Sequence, residues 1–123
     1  MTISRNLAAF AAVNGALAVL LGAFAAHGAA PQVKTLLTTG SHYQMVHALL
    51  ALVCATWPGH GRLVVLAGWL AAWGGLIFCL ALSAIALLSL TVMGAIAPIG
   101  GVIMIAAWLL LLFAALRTQS TPA

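Results

Sequence analysis

Residues 63–116 read LVVLAGWLAAWGGLIFCLALSAIALLSLTVMGAIAPIGGVIMIAAWLLLLFAAL, which is 54 consecutive residues without a charged side chain. As one helix this stretch would be about 80 Å long, whereas about 20 residues suffice to cross the hydrocarbon core of a membrane. It therefore predicts two membrane helices, at about 63–88 and 97–116, joined by a turn near residues 89–94. Pro98 suits the first turn of the later helix, where its missing N–H costs nothing.

The composition of the whole chain also predicts an integral membrane protein that lies in a lipid bilayer. The 123 residues include only four charged side chains, no Asp or Glu, and 66% hydrophobic residues. A soluble domain of this length would carry roughly 30 charged residues. Without carboxylates, Ca²⁺ or Mg²⁺ cages and carboxylate acid–base pairs are excluded. The few dispersed cations also lack the clustering that nucleic-acid binding requires, so no nucleic-acid partner is expected.

Two further membrane helices are predicted nearer the N-terminus, at about 6–26 and 42–57. The second ends in the turn Trp57-Pro58-Gly59-His60-Gly61-Arg62, whose Pro and Gly residues stop a helix. Arg5 and the small residues at 23–25 imitate a secretory signal peptide. The apolar run of the first helix, about 20 residues, is longer than a usual signal-peptide core, so we predict a helix that is retained.

A short helix lying in the membrane interface is predicted between these two spans, at about 31–39. Apolar residues recur there at helical spacing, Pro31 suits the helix start and Gly40 suits the stop. The predicted fold class is thus all-α: an integral membrane four-helix bundle, with a short interfacial helix between helices one and two, forming a single domain over residues 1–123.

The positive charges predict the orientation. Arg5, Arg62 and Arg117 fall on one side of the predicted bundle and Lys34 on the other. Because cytoplasmic loops carry the excess of Lys and Arg, both termini are predicted to be cytoplasmic.

Small residues predict where the helices pack. Gly15 and Gly22 belong to a stripe on the first helix, and Gly68 and Gly75 belong to a stripe on the third. Such stripes let helix backbones approach closely in lipid, so helices one and three are predicted to be the tightest pair. Asn14 is expected to form a hydrogen bond with another helix.

The tryptophans and cysteines are interpreted mainly as packing residues. Trp69 and Trp108 lie too deep for an interfacial belt, which favours packing over a cofactor stacking site. Cys54 and Cys79 differ in predicted depth by more than a disulfide spans, so they are expected to be small apolar packers.

The candidate polar ligand site consists of His27, Tyr43, Gln44 and His47, at the outer ends of the first two helices. Each has a structural alternative. Ser41 and Gln44 match a capping box, and His27 suits the C-terminal end of a helix dipole. His47 is expected about 7–9 Å below the helix start, where an ionisable residue is a functional candidate unless it bonds to Tyr43 or to another backbone.

No metal site, cofactor or catalytic residue is predicted. His42, Met45 and His47 project from different faces of a helix, and the His-x₃-His spacing of helical zinc sites is absent. No serine lies in a nucleophile signature such as Gly-x-Ser-x-Gly.

Four segments together resemble a known family. They are GAFAAHG at 22–28, SHYQMVHALLAL at 41–52, GGLIFCLALSAIAL at 74–87 and APIGGVIMIAAWLLLL at 97–112. In this order they are similar to the small bacterial inner-membrane family called domain of unknown function 423, which is related to eukaryotic transmembrane protein 256. The resemblance implies four membrane helices and an inner-membrane location, and it implies no activity, cofactor or substrate. It also covers the candidate site: His27, Tyr43, Gln44 and His47 match the family pattern.

Three hypotheses for the function follow. The first is a non-enzymatic accessory or assembly component of a membrane complex, partnered by another membrane protein. A homo-oligomer is the other partner state that the sequence allows, and it would count against this hypothesis. The second is a small transporter or a lipid- or quinone-binding protein that uses the His/Tyr/Gln cluster as its polar contact. The third, a membrane-embedded enzyme or metal carrier, has the least support from the residues.

Overall fold

The computed structural model describes residues 3–59 and 61–117, and in these residues every regular element is helical. His60, which belongs to the predicted turn, lies outside the described residues. Four α-helices and one short 3₁₀ helix follow in chain order: α1 at Arg5–His27, α2 at Pro31–Ala55, α3 at Arg62–Leu88, the 3₁₀ helix at Thr91–Ala95, and α4 at Ala97–Arg117.

The bounds of α1, α3 and α4 agree with the predicted helices to within one residue. The turn between α3 and α4 also falls where the sequence predicts it. Ser89 ends α3 in the left-handed conformation, with φ of 55°. Pro98 is the second residue of α4, where its missing N–H breaks no helical hydrogen bond.

The separate interfacial helix is not confirmed, because α2 runs without a break from Pro31 to Ala55. Pro31 starts this helix as predicted, but Gly40 does not stop it. Gly40 lies against α3, where an added Cβ would come within 3.2 Å of the Cys79 Cα. The glycine therefore permits close packing of two helices instead of ending one.

The capping-box interpretation of Ser41 and Gln44 is wrong for the same reason. Ser41 lies inside α2, and its Oγ donates a hydrogen bond to the Thr38 carbonyl oxygen at 3.1 Å. Its side chain also faces α1, since a Cβ added at Gly22 would lie 3.4 Å from the Ser41 Oγ.

The helices pack chiefly against their neighbours in sequence: α2 against α1 and α3, and α3 against α4. The predicted tight pair of α1 and α3 is wrong, because these helices meet only slightly, near their N-terminal ends. There the Phe10 ring lies 5.5 Å from the Trp69 ring and 4.8 Å from the Trp73 ring, between centroids.

The small-residue stripe of α3 exists but faces chiefly α2. An added Cβ at Gly75 would lie 3.2 Å from the His47 Cβ. At Gly68 it would lie 2.8 Å from the Cys54 Cβ on α2 and 2.5 Å from the Leu7 Cδ2 on α1. On α1, Gly22 approaches α2, whereas Gly15 has nothing within 4 Å of where its Cβ would lie. The buried face of α1 includes Ala11, Asn14 and Ala18, and Gly15 lies beside this face and not on it.

Three helical segments, those of α1, α3 and the 3₁₀ helix with α4, are long and apolar enough to cross a membrane. The outer surfaces of α1 and α4 carry large exposed apolar side chains, such as Leu20 at 68% and Leu116 at 77% exposure. This surface suits acyl chains and does not suit water. In contrast, α2 holds most of the polar side chains and packs between α1 and α3.

Candidate functional site

The polar side chains meet in the middle of the helices and not at their outer ends. Because α2 begins at Pro31, His47 lies about 24 Å from the start of α2 and about 12 Å from its end. Asn14 and Trp108 each lie about 14 Å from the arginine-bearing ends of α1 and α4. The predicted depth of His47, just below the outer interface, is therefore wrong. We call Asn14, Gln44, His47 and Trp108 the polar layer.

His47 is buried and both of its ring nitrogens have partners. The Trp108 indole N–H donates a hydrogen bond to His47 Nε2 at 3.0 Å. The His47 Nδ1 lies 2.7 Å from the backbone carbonyl oxygen of Tyr43, one turn earlier in α2. The two rings of His47 and Trp108 stand nearly perpendicular, at 78°.

These partners determine the proton position on His47. An indole N–H can only donate, so Nε2 must accept, and a carbonyl oxygen can only accept, so Nδ1 must carry the proton. The ring is therefore the neutral Nδ1–H tautomer. A second proton on Nε2 would set two donors against each other and break the bond between α2 and α4. This arrangement can join helices, but it leaves neither nitrogen available to a ligand or a metal.

Asn14 and Gln44 form a second link, between α1 and α2. Gln44 Nε2 donates to Asn14 Oδ1 at 2.9 Å, and Asn14 Nδ2 donates to the Phe10 carbonyl oxygen at 3.0 Å. The expectation that Asn14 bonds across to another helix is confirmed. Both side chains are almost completely buried, at 2% and 1% exposure. Among the described residues, Gln44 Oε1 is the one buried side-chain oxygen or nitrogen without a hydrogen-bond partner.

A groove runs beside the polar layer between α2 and α4. It has a volume of about 280 Å³ and is lined by His42, Tyr43, Val46, His47 and Trp108. Tyr43 is half exposed, and its ring packs edge-on against Phe78 with 5.3 Å between the centroids. The lining of the groove is thus almost entirely apolar.

The four predicted site residues do not come together as one set. Tyr43, Gln44 and His47 share α2, but Gln44 faces α1 while His47 faces Trp108 on α4. His27 is exposed at the C-terminal end of α1, about 20 Å along the helix from Asn14. The cysteines do not join the layer: Cys54 and Cys79 are buried free thiols, as expected. In the described part of the chain, no three His or Cys side chains form a metal-ligand group.

Sequence reasoning missed Trp108 as the partner of His47. Trp108 was interpreted as a packing residue because of its depth, and that depth was the available signal. An indole at that depth in a membrane has no water to accept its N–H, and His47 is the residue at a similar depth that can supply an acceptor.

The apolar helices, the exposed apolar surfaces and the buried interhelical hydrogen bonds together define a helical membrane protein. Residues 21–101 match the model of a family described as "Protein of unknown function (DUF423)", and the chain belongs to this family.

Similar bacterial proteins span nearly the same length. The UPF0382 membrane protein YwdK of Bacillus subtilis is 36% identical over 114 residues, which cover 86% of this chain and 92% of that protein. A UPF0382 membrane protein of Staphylococcus epidermidis is 38% identical over 111 residues, which cover 86% of this chain and 91% of that protein. A relative from Staphylococcus aureus is 34% identical over 111 residues, with the same coverage. No solved structure matches the chain.

Proposed function

We propose that the protein is a non-enzymatic accessory or assembly component of a membrane complex in the bacterial inner membrane. The observation that carries this proposal is that the polar layer, apart from Gln44 Oε1, is hydrogen-bonded within the chain. Both His47 nitrogens, the Trp108 N–H and the Asn14 amide are used in hydrogen bonds between or within helices. Groups used in this way hold helices in register instead of acting on a substrate.

The outer helices supply the surface through which such a component would act. In the apolar 18-residue stretch of α1, and in that of the segment containing α4, only 22% is buried. The corresponding share in α3 is 44%. Their exposed faces carry large apolar side chains, among them Val19 and Leu20 on α1 and Ile105 and Leu109 on α4. Another membrane helix can cover such a face by van der Waals packing in place of lipid.

The proposal includes four membrane crossings with both termini in the cytoplasm. α2 packs along α1 and α3, so its 25 residues lie at the same depth as theirs even though its own side chains are more polar. Ser4, the residue before α1, donates its backbone N–H to the Ala55 carbonyl oxygen at 2.9 Å, which ties the start of α1 to the end of α2. Arg5, Arg62 and Arg117 then share one end, which the positive-inside rule assigns to the cytoplasm.

The test is recovery of the full-length chain from its native membrane in a mild detergent. We expect a membrane protein to be recovered with it in stoichiometric amount. The variants I105A/L109A and V19A/L20A trim matched apolar pairs on α4 and α1, and at least one of them should reduce recovery of the partner. Recovery of the chain alone, as a monomer or a homo-oligomer, would contradict the proposal.

A second candidate function, a small transporter or a lipid- or quinone-binding protein, is favoured by the groove between α2 and α4. Its volume of about 280 Å³ is close to the lower limit for small-molecule pockets, about 300 Å³. Its polar contacts would be Tyr43 and His42, because both nitrogens of His47 are already engaged. Quenching of tryptophan fluorescence by a quinone analogue, lost in Tyr43→Phe but retained in Val19→Ala, would favour this function.

A further inference from the structure

The end of the molecule that carries the arginines contains a pocket distinct from the groove. It has a volume of about 440 Å³ and lies where the α2–α3 turn, the start of α3 and the end of α4 meet. Trp57, Arg62 and Arg117 contribute its large and charged side chains. The other lining residues are small or aliphatic: Pro58, Gly59, Gly61, Leu63, Val64 and Ala114.

The two arginines of this pocket have no acidic side chain to neutralise them. The chain contains no Asp or Glu at any position, so an ion pair between Arg62 or Arg117 and a carboxylate side chain of the same chain is impossible. Two cations that line one pocket repel each other, and an anion between them removes that repulsion. No side chain of this chain can therefore supply the counter-charge.

The Arg117 side chain is restrained by a neighbour on its own helix. Its guanidinium lies 5.6 Å from the centre of the Phe113 ring, a cation–π distance, although the exposed Phe113 does not itself line the pocket. Arg62 lies in the first turn of α3, and the partly buried Trp57 lines the same pocket from the start of the α2–α3 turn. A guanidinium offers a planar set of donors that matches the oxygens of a phosphate group.

We propose that this pocket binds one phosphate group between Arg62 and Arg117, with Trp57 packing beside it. The pocket lies at a helix end, where the membrane surface presents phosphate groups on anionic phospholipids, and free phosphate is the other source of the same chemistry. This proposal does not depend on the accessory function. It assigns a binding site to residues that the polar layer does not use.

The experiment is native mass spectrometry of the full-length protein in a nonionic detergent. Phosphatidylglycerol, phosphatidylcholine and inorganic phosphate are added separately at matched concentrations. The variant R62Q/R117Q removes the two pocket cations and keeps polar side chains of similar reach. The control K34Q with R5Q removes the same total charge from positions that do not line the pocket.

We expect the unmodified protein to retain one phosphatidylglycerol roughly tenfold more tightly than phosphatidylcholine, as two arginines at a membrane surface allow. R62Q/R117Q should lose this preference and the control should keep it. Excess inorganic phosphate that displaces the lipid completely would identify free phosphate as the ligand; failure to displace it would identify the lipid. No preference in the unmodified protein, or an equal loss in both double variants, would overturn the proposal.

Discussion

Polar groups have different hydrogen-bond and charge partners in the middle of this molecule and at its arginine end. In the middle, Asn14, Gln44, His47 and Trp108 bond mainly to one another and to nearby carbonyl oxygens. At the arginine end, Arg62 and Arg117 line an open pocket and have no acidic side chain in the chain to pair with.

The difference follows from the surroundings of each region. A polar group in hydrocarbon has no water to bond, so the chain must supply its partner or leave it unsatisfied at a cost. A charge at the membrane surface can be satisfied by water or by lipid phosphate. Polar residues in the middle therefore hold the helices together, whereas the arginines at the end are placed to bind groups from outside the fold.

The largest expected effect tests how closely the middle is packed. In Gly74→Ala the added Cβ would lie 2.9 Å from the backbone nitrogen of Met104 on α4, so a helix must move. We expect the free energy of unfolding to fall by about 2–3 kcal/mol, typical of overpacking. Unfolding in mixed detergent micelles measures this change.

Gly15→Ala is the matched control, because nothing lies within 4 Å of the position where its Cβ would be. Since alanine favours helix over glycine, this variant should be neutral or more stable by about 0.5 kcal/mol. A loss in Gly15→Ala as large as that in Gly74→Ala would contradict the packing described for α1.

The next effect tests the link between α2 and α4. Trp108→Phe keeps an aromatic ring but removes the N–H that His47 Nε2 accepts, which leaves a buried nitrogen without a partner. We expect a loss of about 1–2 kcal/mol in the free energy of unfolding. A double-mutant cycle with His47→Leu should show a coupling energy of about 1 kcal/mol, and additive losses would break the account of this bond.

The Asn14–Gln44 hydrogen bond between α1 and α2 should cost more to break from one side than to remove from both sides. Asn14→Leu removes the acceptor of Gln44 Nε2 and leaves the whole Gln44 amide buried without a partner, at a cost of about 1 kcal/mol. Adding Gln44→Met should restore much of this loss, because it removes both the stranded amide and the unpartnered Oε1. A further loss in the double variant, measured by the same unfolding assay, would contradict this.

The smallest effect is expected at the arginine end. R62Q/R117Q should change the free energy of unfolding by no more than about 0.5 kcal/mol in detergent without anionic lipid, because both side chains are exposed. Phosphatidylglycerol should then raise the melting temperature of the unmodified protein more than that of this variant. An equal rise in the melting temperature of both proteins would contradict the role given to the two arginines at this end.

The positions of three helices could be predicted from sequence because four charges and a few Pro and Gly residues divide the chain at their ends. α2 could not, since Gly40 is equally consistent with a helix stop and with close packing, and only the nearby Cys79 backbone distinguishes them. Because of that error, the predicted α2 begins too far along the chain, and the predicted depth of His47 below the membrane surface is too small. The small-residue stripe of α3 was predicted correctly, but its partner helix depends on contacts that no local pattern records.

The candidate site shows the same limit. The local pattern indicated that His47 is buried and that Asn14 bonds to another helix. The pairing of His47 with Trp108 joins residues 61 positions apart and depends on how α4 lies against α2. The arginine pocket did leave a signal, because a helical hairpin brings the two ends of the uncharged stretch, Arg62 and Arg117, to the same end of the molecule.

The central claim is that His47 is held within the fold and is not kept free for a ligand. Nitrogen NMR of the histidine and tryptophan side chains, recorded on the full-length protein in lipid nanodiscs, tests this claim most directly. The account predicts a neutral His47 ring with its proton on Nδ1, and a hydrogen-bond coupling between Nε2 and the Trp108 indole that disappears in Trp108→Phe. A His47 ring with its proton on Nε2, or a doubly protonated ring at neutral pH, would contradict it.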